Sequence, residues 1–275
     1  MILSTKLIQL HFDGFLKTPC LWKNRGVFDL QQFEIQQKSE SINFLINSKL
    51  RLGKYIERFV SFQLQQEKSI QLLAENVQIQ RDKITLGELD CLLVKDDKPI
   101  HLEIIYKFYL YDASVGKTEI EHFIGPNRKD SLVEKLNKLK QKQLPLLYSN
   151  ECKLYLKAIN LNAENFEQQV YFKAQLFVPY VKKEMQLETL NQNCINGFYI
   201  YQHQIQQFSD CKFYIPTKKD WLIIPHTNVD WLSFNVFKTE MNTSLERQFS
   251  PLIWVKHPSG NIEKMFIVWW NTQRI

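Results

Sequence analysis

The chain has 275 residues, of which 44% are hydrophobic and 23% charged, so it can bury a large core. Its 8 glycines and 9 prolines exclude collagen-like and linker-dominated chains, and its net charge of +6 is compatible with a polyanionic partner without requiring one. The five cysteines lack C-x-x-C spacing, which argues against a zinc site or a disulfide framework and favours a reducing compartment. With no signal-peptide pattern and no long apolar run, the sequence predicts a cytoplasmic protein with no membrane-spanning segment.

Residues 1–48 mix an aromatic and apolar beginning with a polar stretch. We interpret them as a helical, non-catalytic lead-in that packs on the residues that follow. The next segment, RLGKYIERFVSFQLQQ, repeats apolar residues at helical spacing and predicts the first helix of a core that spans 49–164.

Three strand-like runs follow this helix. They cover 70–80, 84–95 and 100–111, and each is rich in branched and apolar side chains. The short polar connections RDK and KDDKP predict turns, so the three runs form a meander of neighbouring antiparallel strands.

A second helix is expected from about residue 132. Asp130 or Ser131 can cap its start, and Leu132, Leu136 and Leu139 lie on one side at helical spacing. Alternation in ECKLYLKAINL (151–161) predicts a further strand. The expected core is therefore α/β (or α+β), in the order helix, three-strand meander, helix, strand. The remainder, 165–275, is aromatic and reads as a β-rich extension, with one helix expected in SFNVFKTEMNTSLERQF.

Carboxylates interrupt two strands of this core at positions where apolar residues are expected. Glu88 and Asp90 break the apolar pattern of the second strand, and the third strand carries Glu103 and Lys107 on one face. Buried carboxylates are costly unless they pair with a cation or hold a metal. Carboxylates converging from adjacent strands suit Mg²⁺, although a Glu–Lys pair on a strand is also a common structural ion pair. For Glu88 we favour a turn cap or an ion pair with Lys83 over metal binding.

The element order and these residues together resemble the PD-(D/E)XK nuclease superfamily. GELD (87–90) is similar to a strand of many members that ends in a metal-binding aspartate. HLEIIYKFYL (101–110) and GPNRKDSLVEKLNKLKQKQLPL (125–146) more closely resemble one branch, the bacterial family called domain of unknown function 1853. The resemblance is strongest over residues 50–150 and implies a restriction-endonuclease-like core.

The resemblance implies catalytic roles for four residues. Asp90 and Glu103 would be metal ligands for Mg²⁺ or Mn²⁺, Lys107 would orient the attacking water, and Glu57 matches an acidic residue on the first helix. The superfamily lysine usually stands two residues after the acid, where this chain has Ile105. Lys107 is on the same strand face but about 13 Å from Glu103 between Cα atoms.

Basic residues around the second helix are candidates for phosphate contacts, because phosphates dominate nucleic-acid affinity. Lysines recur there at i, i+3 and i+7, a pattern that is also typical of a solvated helix face. The resemblance adds a glutamine that some members place after this helix. The candidate nucleic-acid contacts are Arg128, Lys129, Lys135 and Gln143.

The sequence thus predicts an Mg²⁺-dependent nuclease that cleaves phosphodiester bonds, with DNA as the expected substrate. The displaced lysine motivates an alternative, a non-catalytic module that binds nucleic acid or a protein partner on a degenerate nuclease-like scaffold.

Overall fold

A computed structural model describes residues 3–36 and 40–270 and shows a mixed α/β architecture built on one large sheet. The helices are α1 (Thr5–Lys17), α2 (Leu52–Gln65), α3 (Leu132–Lys138), α4 (Asn150–Ala158) and α5 (Phe234–Glu246). The strands are β1 (Ile70–Arg81), β2 (Ile84–Lys95), β3 (Lys98–Tyr111), β4 (Phe123–Ile124), β5 (Glu167–Pro179), β6 (Ile195–Tyr201), β7 (Lys212–Tyr214), β8 (Leu252–Lys256) and β9 (Ile262–Val268).

The strand order across the sheet is β1-β2-β3-β5-β6-β9-β8-β7, with β4 paired to β3. The two outer parts of the sheet are antiparallel, whereas β3, β5, β6 and β9 are parallel neighbours. The parallel pair β3 and β5 requires a crossover, and the chain makes it through α3 and α4.

The predicted three-strand meander is confirmed. Short turns join β1 to β2 and β2 to β3, and both pairs are antiparallel. At the second turn Asp96 and Asp97 have φ angles of 50° and 63°. Two successive positive φ angles are typical of a type I′ hairpin, in which aspartate is well tolerated.

Helices α1 and α2 pack on one face of this sheet. The rings of Phe12 in α1 and Phe59 in α2 lie 5.3 Å apart between centroids and are fully buried. The even-numbered apolar side chains of β3, such as Leu102 and Phe108, belong to the same core, while Ile105 and Tyr109 pack on the opposite face. Alternation in β3 was therefore predicted correctly.

Among the described residues of 1–48, the prediction of helix is correct only for α1. Beyond it the chain runs without a helix along the first half of β5, where Leu21 and Phe33 donate backbone hydrogen bonds to Phe172 and Val170. The side-chain amide of Gln32 both donates to and accepts from the backbone of Phe172. These bonds satisfy β5 where β6 does not reach it. Part of the polar stretch of this region, residues 37–39, lies outside the described residues.

The prediction of a strand at 151–161 is wrong, because this segment contains α4. Ser149 caps the helix by accepting from the backbone N–H of Cys152, and Cys152 and Leu156 face the core four residues apart. Leu154, which the alternation placed with Leu156, is 70% exposed. A cap combined with i, i+4 burial outweighs a short alternation.

The strand that follows the second helical segment is instead β5. It pairs with β3 on one side and β6 on the other, so the sheet is continuous across residue 165. The expected C-terminal helix is confirmed as α5, which packs beneath β7 through Phe237. Within the described residues, none of the helices combines the length and apolarity needed to cross a membrane.

Candidate functional site

The site begins where β2 and β3 stop pairing. Their register runs from Lys95 opposite Lys98 to Cys91 opposite Leu102 and ends there within the described chain. At the next position the Oδ2 atom of Asp90 accepts a hydrogen bond of 2.9 Å from the backbone N–H of Ile104. The carboxylate thus replaces a strand partner at the point where the two strands separate.

Glu103 precedes Ile104 on β3, and its carboxylate is fully buried. His101 Nε2 lies 3.2 Å from its Oε1 atom, and the Nε2 atom of Gln143 donates to its Oε2 atom at 2.5 Å. The amide nitrogen of Gln168 lies 3.1 Å from His101 Nδ1, which assigns the ring proton to Nε2. His101 therefore donates to Glu103, and both carboxylate oxygens are held in place.

Lys135 of α3, which is partly buried, completes this group. Its Nζ atom donates to the Oε1 atom of Gln143 at 2.7 Å, so Gln143 links the lysine to Glu103. After α3 the helix continues as a π-helical turn over Leu139–Gln143. The wider turn brings Gln143 round to the side of Lys135, a use of π-turns that is frequent at functional sites.

Burial and mutual repulsion set the charge of the group. Burial, assisted by the negative charge of Glu103, raises the pKa of Asp90 to about 7. Burial lowers the pKa of Lys135 to about 8, although Glu103 and Asp90 both oppose that shift. Two groups that titrate near neutrality beside a buried carboxylate are typical of sites that bind cations or move protons.

A second acidic group adjoins Asp90. Carboxylate oxygens of Glu57 from α2 and of Glu88 and Asp90 from β2 all lie within 4.8 Å of one another. Lys54 of α2 donates to Glu57 at 2.9 Å and also to Glu88. The expected pairing of Glu88 with a turn or with Lys83 is therefore wrong, because Glu88 faces α2. We call Glu57, Glu88 and Asp90 the acidic cluster.

The glycine of GELD has a packing role. A Cβ atom on Gly87 would lie 2.7 Å from the Cδ2 atom of Leu146, so the missing side chain leaves room for Leu146, which follows the π-turn, to pack directly on β2. This contact holds the segment that carries Gln143 against the strand that carries Asp90.

Lys107 forms its ion pair outside the group around Glu103. Its Nζ atom donates to the Oδ2 atom of Asp130 at 2.5 Å, and both side chains are partly exposed. Gly125 permits this approach, since a Cβ atom there would lie 2.0 Å from Asp130 Oδ1. The distinctive GPNRKD loop thus presents a carboxylate to Lys107.

The structure places the four predicted nucleic-acid contacts in different surroundings. The guanidinium of Arg128 donates to the buried Asp112 at 2.6 Å and stacks 4.7 Å from the ring of Trp270, so it ties the loop to the C-terminal region. Lys129 is exposed. Lys135 and Gln143 instead join the buried group around Glu103.

Sequence reasoning assigned Lys135 to a phosphate-binding row and missed its inward position. The signal was present, because Lys135 follows Leu132 by three residues and precedes Leu139 by four, on the apolar stripe of the helix. Lys54 could also have been found, since it precedes Glu57 by three residues on α2. No pattern in the sequence predicts the contact of Gln168 with His101 or the π-turn.

The fold and the site define a mixed α/β protein with a carboxylate-rich centre between its sheet and two helices. The chain belongs to the family described as "Domain of unknown function (DUF1853)", whose model matches residues 21–268. That match covers every strand and confirms the family resemblance. No curated protein and no solved structure matches the chain significantly.

Proposed function

We propose that this protein is a metal-dependent nuclease with a restriction-endonuclease-like core, and that it cleaves phosphodiester bonds in DNA. The observation that carries the proposal is the convergence of Asp90 and Glu103 at the separation of β2 and β3, with the ammonium group of Lys135 held beside them. A pair of carboxylates and one lysine is a group suited to phosphoryl chemistry, where charge develops on oxygen atoms.

The donor set fits Mg²⁺ or Mn²⁺. Hard cations prefer carboxylate oxygens, and the acidic cluster places three such oxygens within 4.8 Å of one another. Asp90 belongs to this cluster and also adjoins Glu103, so it is the ligand common to both groups of carboxylates. When bound, the metal would polarise a phosphoryl oxygen and lower the pKa of a water molecule.

The remaining residues position and balance these groups. His101 and Gln143 hold the carboxylate of Glu103 in one orientation. Lys135, rather than Lys107, is placed to stabilise negative charge that develops at the site, because Lys107 is occupied by Asp130. Lys54 pairs with both Glu57 and Glu88, balances one of their two negative charges, and would move aside when a divalent cation binds there.

Cleavage assays on purified protein test the proposal. DNA and RNA substrates are incubated with Mg²⁺, Mn²⁺ or EDTA, using wild type, Asp90→Asn and the control Asp97→Asn. The control removes an exposed carboxylate at the β2–β3 turn, where asparagine tolerates the positive φ angle. We expect metal-dependent cleavage by wild type and Asp97→Asn, and none by Asp90→Asn. Equal cleavage by folded Asp90→Asn would contradict the proposed site.

One observation favours a second function. The ion pairs of Lys107 with Asp130 and of Lys54 with Glu57 and Glu88 balance part of the negative charge of these groups without a metal. A non-catalytic module that binds nucleic acid would show affinity that falls steeply with salt and does not depend on divalent cations. The same protein would cleave none of the substrates.

A further inference from the structure

A groove leads away from the acidic cluster along α2. A cavity of about 280 Å³ is lined by Glu57 and Glu88, and a second of about 720 Å³ lies between α2 and residues 43–50. Leu50 and Arg58 line both cavities, so the two are adjacent and together extend from the carboxylates to the far end of α2.

Arg58 stands at the junction of the two cavities. Its side chain is exposed, and within residues 3–36 and 40–270 no carboxylate forms an ion pair with it. It lies close enough to Glu57 for its charge to act on that carboxylate. An unpaired guanidinium beside an acidic cluster suits a phosphate group that follows the reacting one, because arginine binds phosphate in a bidentate manner.

The walls of the larger cavity carry a ring and several amides. Phe44 is partly buried, with its ring 5.3 Å from that of Phe62. Four amide side chains line the same cavity: Asn43, Asn47, Gln65 and Gln66. An aromatic ring can stack on an unpaired base, and amides offer both donors and acceptors to its edge.

We infer that this groove holds a single-stranded segment of the nucleic acid, with a phosphate on Arg58 and an unpaired base against Phe44. The inference rests on the proposed function, because it makes the groove the continuation of the cleavage site. In a duplex the faces of the bases are stacked and their Watson–Crick edges are paired, so a duplex cannot offer these groups to the ring and the amides, whereas a single strand can. The volume of the larger cavity lies within the range of about 300–1,000 Å³ that is usual for ligand sites.

Binding measurements test the groove separately from cleavage. Fluorescence anisotropy of a short oligothymidylate and of a duplex of equal length is recorded with Ca²⁺ in place of Mg²⁺, and gels check that both remain intact. The groove variants are Phe44→Leu, which keeps an apolar side chain on Phe62, and Arg58→Gln. Their matched controls are Phe234→Leu and Arg247→Gln, which lie on or at the end of α5.

We expect the oligothymidylate to bind more tightly than the duplex. Phe44→Leu weakens that binding about fivefold or more, since a base loses its stacking partner, and leaves the salt dependence unchanged. Arg58→Gln lowers the slope of log affinity against log salt by about 0.7, the value for one phosphate contact on a single strand. Both control variants bind as wild type does.

Three results would overturn the inference. These are equal or tighter binding of the duplex, wild-type affinity in both groove variants, or displacement of the oligonucleotide by polyglutamate at equal charge concentration. The proposed function fails by a different result, full cleavage by Asp90→Asn. If the groove variants lose binding while Asp90→Asn still cleaves fully, the proposed cleavage site is rejected, and the inference that the groove binds a single strand stands.

Discussion

Two regions of the molecule hold lysines with little solvent exposure, and the groups that surround the ammonium differ between them. Lys135 faces Glu103 and Asp90 beside an acidic cluster that opens into a groove. Lys173 and Lys264 lie in the middle of the sheet, 1% and 3% exposed, and donate to backbone carbonyls and to the amide of Gln175. Both regions shift lysine pKa values downward, because burial disfavours the charged form.

The comparison shows that a buried lysine is not by itself a functional signal. Lys173 donates to the carbonyl groups of Phe15 and Leu16 at the end of α1, where the helix dipole favours a cation. Lys264 joins β9 to the carbonyl of Trp221. Lys173 and Lys264 each donate two hydrogen bonds inside the packed core, whereas among the described residues Lys135 donates one, to Gln143, and has two carboxylates nearby.

The largest expected effect comes from removing each lysine in turn. Lys135→Met should reduce metal-dependent cleavage about 10²–10³-fold, as loss of a group that stabilises developing charge does. Lys264→Met should leave cleavage within a few-fold of wild type and alter stability instead. Lys138→Met, an exposed lysine one turn along, is the matched control. A Lys135→Met protein that cleaves as wild type does would remove the distinction between the two regions.

The pH dependence of metal binding gives the second largest effect. Burial raises the pKa of Asp90 to about 7, so below that pH a cation must displace the proton of this carboxyl group. Affinity for Mn²⁺ should therefore rise by up to about tenfold per pH unit below 7 and level off above it. Calorimetric titrations at several pH values measure this. In Asp90→Asn the rise should be lost, and a rise that persists would assign the titration to another group.

Much of the region that carries the site was predictable because its periodicity is undisturbed. The three strands and the helix with Phe59 follow from local pattern, which also limits the cap of α3 to Asp130 or Ser131, and the structure shows Ser131. Family resemblance directed attention to Asp90 and Glu103, which the structure places at the separation of two strands. The point of separation depends on how β2 and β3 pair, and the sequence of one strand alone does not show where that pairing ends.

The rest could not be predicted because it depends on tertiary packing. Alternation at Leu154 and Leu156 resembled a strand until the cap at Ser149 and the core contacts of Cys152 decided for a helix. Lys135 resembled its exposed neighbours because lysine usually extends into solvent. The π-turn that aligns Gln143 with it has no sequence signature of its own.

The third prediction concerns stability and the buried lysines of the sheet. The folded chain lowers the pKa of Lys264 from 10.5 to about 7, so between these values the unfolded chain binds one more proton. Stability should therefore rise with pH across this window, by at most about 1.4 kcal/mol per pH unit for this group. Urea unfolding of wild type and Lys264→Met should differ by this slope. If the free energy of unfolding rises equally with pH in both proteins, Lys264 remains charged in the folded chain.

The smallest expected effect compares the caps of the two crossover helices, of which only α3 carries Lys135. Ser131 accepts from the backbone N–H of Glu134 at the start of α3, and Ser149 accepts from that of Cys152 at the start of α4. Each Ser→Ala change should cost about 1 kcal/mol of stability in urea unfolding. Only Ser131→Ala should also lower cleavage by a few-fold, because Lys135 projects from the first turns of α3. Equal losses of cleavage in both variants would indicate a general loosening of the crossover rather than a displaced lysine.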